Sequence, residues 1–288
     1  MNRLVPVLLS GLALFSVESA YAQSHPTRPA PQAGQAAADT VVVRAANRGR
    51  LLNYVRAASA FSPDNQVARR SERLCPLVAG ARTEVNTYVT SRIRQVGEEV
   101  GVQFERKACQ PNLLVLFSNE PEVMLQKAKA RNRISLNRVR PAEARRFMAD
   151  GQPVRWLNGV AIEQAVGKTA SGSNLATVNG VESRLFNPTR SVLRGSVIVV
   201  DANRTGDVEV AALADYVALT ALTNIKSDAN LSGHRSILNL FSEGEQGADR
   251  LTPLDIAYLH GVYKARDTAY GMNQAGKIAT VMAEELER

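Results

Sequence analysis

Residues 73–80, RLCPLVAG, and residues 111–118, PNLLVLFS, are apolar runs of strand length. The segment between them, ARTEVNTYVTSRIRQVGEEVG, places Val85, Tyr88, Val89, Ile93, Val96 and Val100 at helical spacing, and Gly101 marks a stop. A strand, a helix and a strand in that order join as a crossover, with parallel neighbours and a right-handed connection. This unit excludes a pure helical bundle and an all-antiparallel sandwich. It predicts an α+β chain with an α/β-like N-terminal crossover. A small mixed sheet is packed by helices, and the C-terminal part is helical.

The N-terminus constrains the compartment. MNR is a short basic start, LVPVLLSGLALFSV is an apolar run too short for a comfortable membrane span, and AYA at residues 20–22 is a small-x-small cleavage site. A signal peptide over residues 1–22, cut after Ala22, predicts a periplasmic or secreted chain. No later stretch is long and apolar enough for a transmembrane span. In an oxidising compartment the only two cysteines, Cys75 and Cys109, are expected to form a disulfide. One lies in the first strand of the crossover and one just before the second, so the bridge staples the unit. Residues 23–40 are rich in Pro, Ala and Gln and read as a disordered linker. Residues 41–72 read as an N-terminal extension with a helical pattern at Leu51, Leu52, Val55 and Ala58, and residues 73–288 as a single α+β domain.

The formal net charge is +8, which favours acidic partners. Cations concentrate in one region: Lys127, Lys129, Arg131, Arg133, Arg138, Arg140, Arg145 and Arg146 are the candidate anion-binding set. Pro141 sits at a first helical position there. No aromatic residue is interleaved among these cations, which weakens a base-stacking interface.

Further along, 154–164 and 173–186 alternate like strands, with Asn-Gly turns at Asn158-Gly159 and Asn179-Gly180. A Gly-Lys-Thr at 167–169 lacks the strand–loop–helix setting of a phosphate loop. GSVIVVD, 195–201, is a strand, and Asp207 is the expected N-cap of the helix in VEVAALADYVALTALTNI, 208–225. At 100° per residue, Ala214, Val217, Ala218, Ala221 and Ile225 share one face of that helix. Asp215 falls on the flank. Its bland role is a boundary carboxylate that reaches solvent or caps a loop. Thr252, Pro253 and Asp255 form a capping-box start for the next helix, and 276–288 close the chain as an amphipathic helix.

The order of RLCPLVAG, the 82–100 helix, PNLLVLFS, GSVIVVD, the LADY helix, RSILNLF and LTPLDIAYLHGVY resembles the zincin-like, metallopeptidase-type fold over residues 73–264. It also resembles a group of uncharacterised exported proteins of Gram-negative bacteria that carry an LADY helix. The resemblance implies a helix bearing H-E-x-x-H, where two imidazoles at i and i+4 hold zinc and a Glu activates water. Here Asp215 stands at the Glu position, while Ala214 and Ala218 stand at the two His positions. Alanine cannot ligate metal. The expected chain is therefore a pseudoenzyme with no cofactor and no metal ligands, binding an envelope protein or peptide in the old groove. Residues 196–200 are the expected receiving edge, and Asp215 is a remnant or is tied to the Ser236 loop. Two alternatives stay open. One is an active hydrolase with an unfamiliar site built from Asp215, His234 and His260. The other is attachment to an anionic polymer, lipopolysaccharide or nucleic acid, through residues 127–146.

Overall fold

The computed structural model describes residues 47–62, 65–106, 108–134, 139–149, 151–164, 189–242, 247–265 and 271–288. The signal, linker, Gly-Lys-Thr, 173–186 and Asn179-Gly180 readings, and Arg138, lie outside them.

The crossover forms as the apolar spacing predicts. Strand β2 (Pro76–Ala79) runs parallel to β3 (Leu113–Ser118), with Pro76 opposite Leu113, and helix α2 (Thr83–Glu99) connects them. Cys75 stands one residue before β2 rather than inside it. It is joined to Cys109 by a disulfide spanning 34 residues, with Cα atoms 6.2 Å apart. Closing a loop of that size removes unfolded-state freedom. A Cys75→Ser/Cys109→Ser chain is expected to lose about 3–4 kcal/mol. Thermal unfolding with and without reductant checks this, since the double variant should be insensitive to reductant.

Helices α3 (Pro121–Ala130) and α4 (Pro141–Met148) follow, each with proline in its first turn. They divide the basic region, and α4 starts at Pro141 as the sequence predicts. Strand β4 (Val154–Gln164) and strand β5 (Thr189–Asp201) then pair antiparallel along their whole lengths. The other side of β5 carries β1 (Arg69–Arg70) beside Val192 and Leu193, then β3 beside residues 196–201, both parallel. β5 is thus the central strand and β4 an antiparallel edge.

Two expectations change here. Residues 196–200 cannot receive an added strand, because β3 and β4 already occupy both sides. Asn158-Gly159 is not a turn. It lies within β4 opposite Ser196 and Gly195, where Arg194 is an extra residue on β5 and Val160 pairs with Leu193. The Asn-Gly signal is local, whereas an uninterrupted ladder on both flanks keeps the chain extended.

The sheet separates two apolar clusters. Leu113, Val115, Phe117, Ile198, Val200 and Val154 join the main core with α2 and α5 (Val210–Leu222). Leu157 and Val199 point the other way, onto Leu125 of α3 and Phe147 of α4. The main core continues past α5 into α6 (Pro253–Lys264), α7 (Gly271–Leu286) and α1 (residues 47–58). The segment read as an N-terminal extension therefore supplies core, with Tyr54 and Val55 fully buried. Helices α6 and α7 approach closely at Gly261, where a Cβ would stand 2.8 Å from Ile278 Cγ2.

Helix α5 has no amphipathic stripe. Every residue from Ala212 to Leu222 is buried, so the helix is enclosed on all sides. It starts at Val210 with Glu209 in the cap position and no side-chain cap. Asp207 is therefore not its N-cap. The Thr252–Asp255 capping box and Pro253 form as expected.

Candidate functional site

Asp215 is wholly buried rather than on a solvent-reaching flank. One carboxylate oxygen accepts from Arg92 Nε, on α2. The other accepts from Arg250 Nε at 3.0 Å and from the Leu251 backbone N–H at 2.8 Å. Asp215 raises the basicity of Arg250, chiefly by this hydrogen bond and then by its charge. The carboxylate pins the 250–251 segment and α2 to the central helix. Ala214 and Ala218 beside it are fully buried.

Ser236 is tied not to Asp215 but to Asp255, the last residue of the capping box. Asp255 is fully buried and takes five donors. Its Oδ1 accepts from Tyr54 Oη at 2.7 Å and Ser236 Oγ at 2.6 Å. Its Oδ2 accepts from Ile237 N at 3.0 Å, Thr252 N at 2.9 Å and Thr252 Oγ1 at 2.8 Å. Burial first, and then Asp255, push the Tyr54 phenol well above its ordinary value. This network joins α1, the turn at Ile237–Asn239 and the start of α6.

The three side chains of the hydrolase reading have separate partners. Asp215 faces Arg92 and Arg250. His234 lies edge-on to the Tyr54 ring, centroids 5.5 Å apart. Burial, then the Arg50 charge, lower its pKa below the usual histidine value. His260 stands on α6. Among the described residues no group of three His, Cys, Asp or Glu side chains is placed to hold a metal ion.

Two of the concave features among the described residues bear on binding. The first runs beside β4. Trp156 Nε1 donates to Ile225 O at 3.1 Å, and Asn158 Nδ2 donates to Asn224 Oδ1 at 3.1 Å. A groove of about 160 Å³ opens next to them, with Val160 and Ile162 on the strand side and Ile225 and Ser227 across from it. Ile162 is 45% exposed. Among the described residues the outer edge of β4 pairs with no strand. At the Trp156 end, Tyr216 of α5 sits edge-on between Trp156 and Phe241, with centroids 6.1 and 5.1 Å away. This partner set explains the apolar company of the Asp-Tyr pair: Tyr216 faces the groove end and Asp215 faces α2.

The second feature is a cavity of about 720 Å³, lined in part by Arg50, His234, Arg250 and Leu254.

The basic set is split by its partners. Arg140 pairs with Glu143 and donates to Phe61 O, and Arg146 pairs with Asp228. Lys127, Lys129, Arg131, Arg133 and Arg145 are exposed.

Tyr54, Arg92, Arg250 and Trp156 escaped the sequence reading. Arg92 meets Asp215 across 123 positions, and no local pattern announces such a pairing. No protein-family model, no characterised protein and no solved structure matches the chain. Among the described residues no helix is long and apolar enough to cross a membrane.

Proposed function

We propose that the chain is an exported, non-catalytic binding protein with a degenerate metallopeptidase-like fold, which takes up a peptide or envelope component as an extended strand along β4. The observation that carries this is the outer edge of β4, which among the described residues pairs with no strand and lies beside a groove. Main-chain hydrogen bonds along such an edge supply affinity, and alternate side-chain pockets supply selectivity. The non-catalytic part is supported by Ala214 and Ala218 at the helix positions where the resemblance puts two histidines. It is supported further by Asp215, whose two oxygens are taken by three donors. Export rests on the N-terminal signal-like sequence and accords with the disulfide.

The test is selection of dodecapeptides from a displayed library, followed by amide exchange. Binding should slow exchange of backbone amides within residues 154–164, and Ile162→Glu should weaken it tenfold or more. Protection confined to another element would refute strand addition. Stoichiometric zinc in the purified chain would refute the non-catalytic part.

The hydrolase alternative makes an opposite forecast at Asp215. A catalytic carboxylate predicts that Asp215→Asn abolishes activity at unchanged stability. An anchoring carboxylate predicts a loss of about 3 kcal/mol, because the buried partner of Arg92 loses its charge. Urea unfolding of the variant separates the two.

A second reading draws on Lys127, Lys129, Arg131, Arg133 and Arg145, exposed on the side of the sheet opposite α5. Attachment of an anionic polymer there should weaken steeply with salt. Salt-insensitive binding rules it out.

A further inference from the structure

The cavity of about 720 Å³ is a built space, separate from the β4 groove. Its walls come from four places: the start of α1, the 233–235 loop, the segment leading into α6, and the end of α7. The first three are held by the two buried carboxylates. Asp215 fixes Arg250 and Leu251. Asp255 fixes Thr252 on one side and Ser236 and Ile237 on the other. Through Tyr54, Asp255 also holds α1, and the Tyr54 ring backs His234. Three of its four walls are tied in place by these hydrogen bonds, which favours preorganisation, and its volume lies in the range of small-molecule sites.

The lining has two chemical halves. Leu51, Leu251, Leu254, Ala283 and Leu286 give an aliphatic floor, and Leu286 is 44% exposed. Arg50, Arg235 and Arg250 give three guanidinium groups, against the two carboxylates Asp249 and Glu287. The cations are therefore in excess by one. The first turn of α6 also reaches the cavity with Thr252, Pro253 and Leu254, which adds the positive end of a helix dipole. Among the described residues no aromatic ring other than His234 lines the space.

We propose that this cavity binds an anionic amphiphile, a single carboxylate or phosphate monoester head on an aliphatic chain. The head lies among Arg50, Arg235 and Arg250, and the chain lies on the leucine floor. The chain's carbon count is set by the ligand's source, while the head chemistry is set by the guanidinium groups.

The test is calorimetric titration of the purified, disulfide-bonded chain with decanoate and with decyl phosphate, both below micelle formation. Decanol and decylammonium serve as neutral and cationic comparisons. Saturable one-to-one binding of at least one anion is expected, with the tighter of the two identifying the head. The alcohol and the ammonium should bind at least tenfold more weakly. Arg50→Glu combined with Arg235→Glu, both at the surface, should weaken anion binding tenfold or more without lowering the unfolding temperature. Ile162→Glu, in the β4 groove, should leave it unchanged. The proposal is overturned if neither anion saturates, if decanol binds as tightly, if the double variant binds normally, or if Ile162→Glu abolishes binding. Because the β4 reading is probed by peptides and this one by amphiphiles, either can fail alone.

Discussion

Replacing Asp255 with alanine is expected to remove at least about 4 kcal/mol of stability. That is a large share of the total for a domain, which is about 5–15 kcal/mol. The loss does not come from the carboxylate itself but from what it leaves behind. Tyr54 Oη, Ser236 Oγ, Ile237 N and Thr252 N would lose this acceptor, and Thr252 Oγ1 would keep only the Arg235 carbonyl at 3.3 Å. The site is sealed, with Asp255, Tyr54 and Ser236 each fully buried, so water cannot easily substitute. Asp255→Asn should recover only part of the loss, since its amide nitrogen would face donors. Urea midpoints for both variants are the measurement. A shift in Asp255→Ala below about 1 kcal/mol would show that the three elements are held by apolar packing alone.

The second large effect is expected at Arg70. Its guanidinium is buried without a carboxylate among the described residues, and burial lowers its pKa to about 10. Its compensation is the end of α5. Nε and Nη2 donate to Ala221 O at 3.1 and 2.9 Å, and Nη2 donates to Ser196 Oγ at 2.7 Å. The C-terminal carbonyls of a helix carry partial negative charge, so the helix itself acts as the counter-ion. Arg70→Ala should leave a cavity and an uncapped buried helix end, costing about 3–4 kcal/mol. The melting temperature should fall by about 10 °C, at roughly 2–4 °C per kcal/mol for a chain of this size. Arg70→Met should be milder, because it refills the volume, and Arg70→Lys should be intermediate. Calorimetry orders the three. Equal stability in Arg70→Ala and the parent chain would remove α5 as the counter-ion.

The crossover was legible because each part advertises itself locally: apolar runs of strand length, a helical period and a glycine stop. The capping box at Thr252 and the proline starts at Pro141 and Pro253 were legible for the same reason. What failed was long-range. The stripe on α5 looks amphipathic only if one face meets solvent, and nothing in its own residues says that α2, α6 and the sheet enclose it. The flank position of Asp215 became a buried one because Arg92 and Arg250 come to it from 123 and 35 positions away. Residues 196–200 resemble an edge as much as a centre, since an apolar strand run does not state how many neighbours it has. The edge strand β4 was visible as a strand, but its Asn-Gly was misread through local turn chemistry.

The two residues of β1 have a bearing on how the chain folds. Arg69 Nη1 donates to the carbonyls of Val262, Tyr263 and Ala265, closing the end of α6, while Arg70 closes the end of α5. These contacts span 151 to 196 positions. Such separations make ring closure expensive and slow. A chain that emerges from its N-terminus first cannot dock α1 or β1 until both helices exist. The opening segment is therefore a clasp that fastens last, and the crossover it sits beside must hold its own shape meanwhile. That places the Cys75–Cys109 staple where early persistence is most needed.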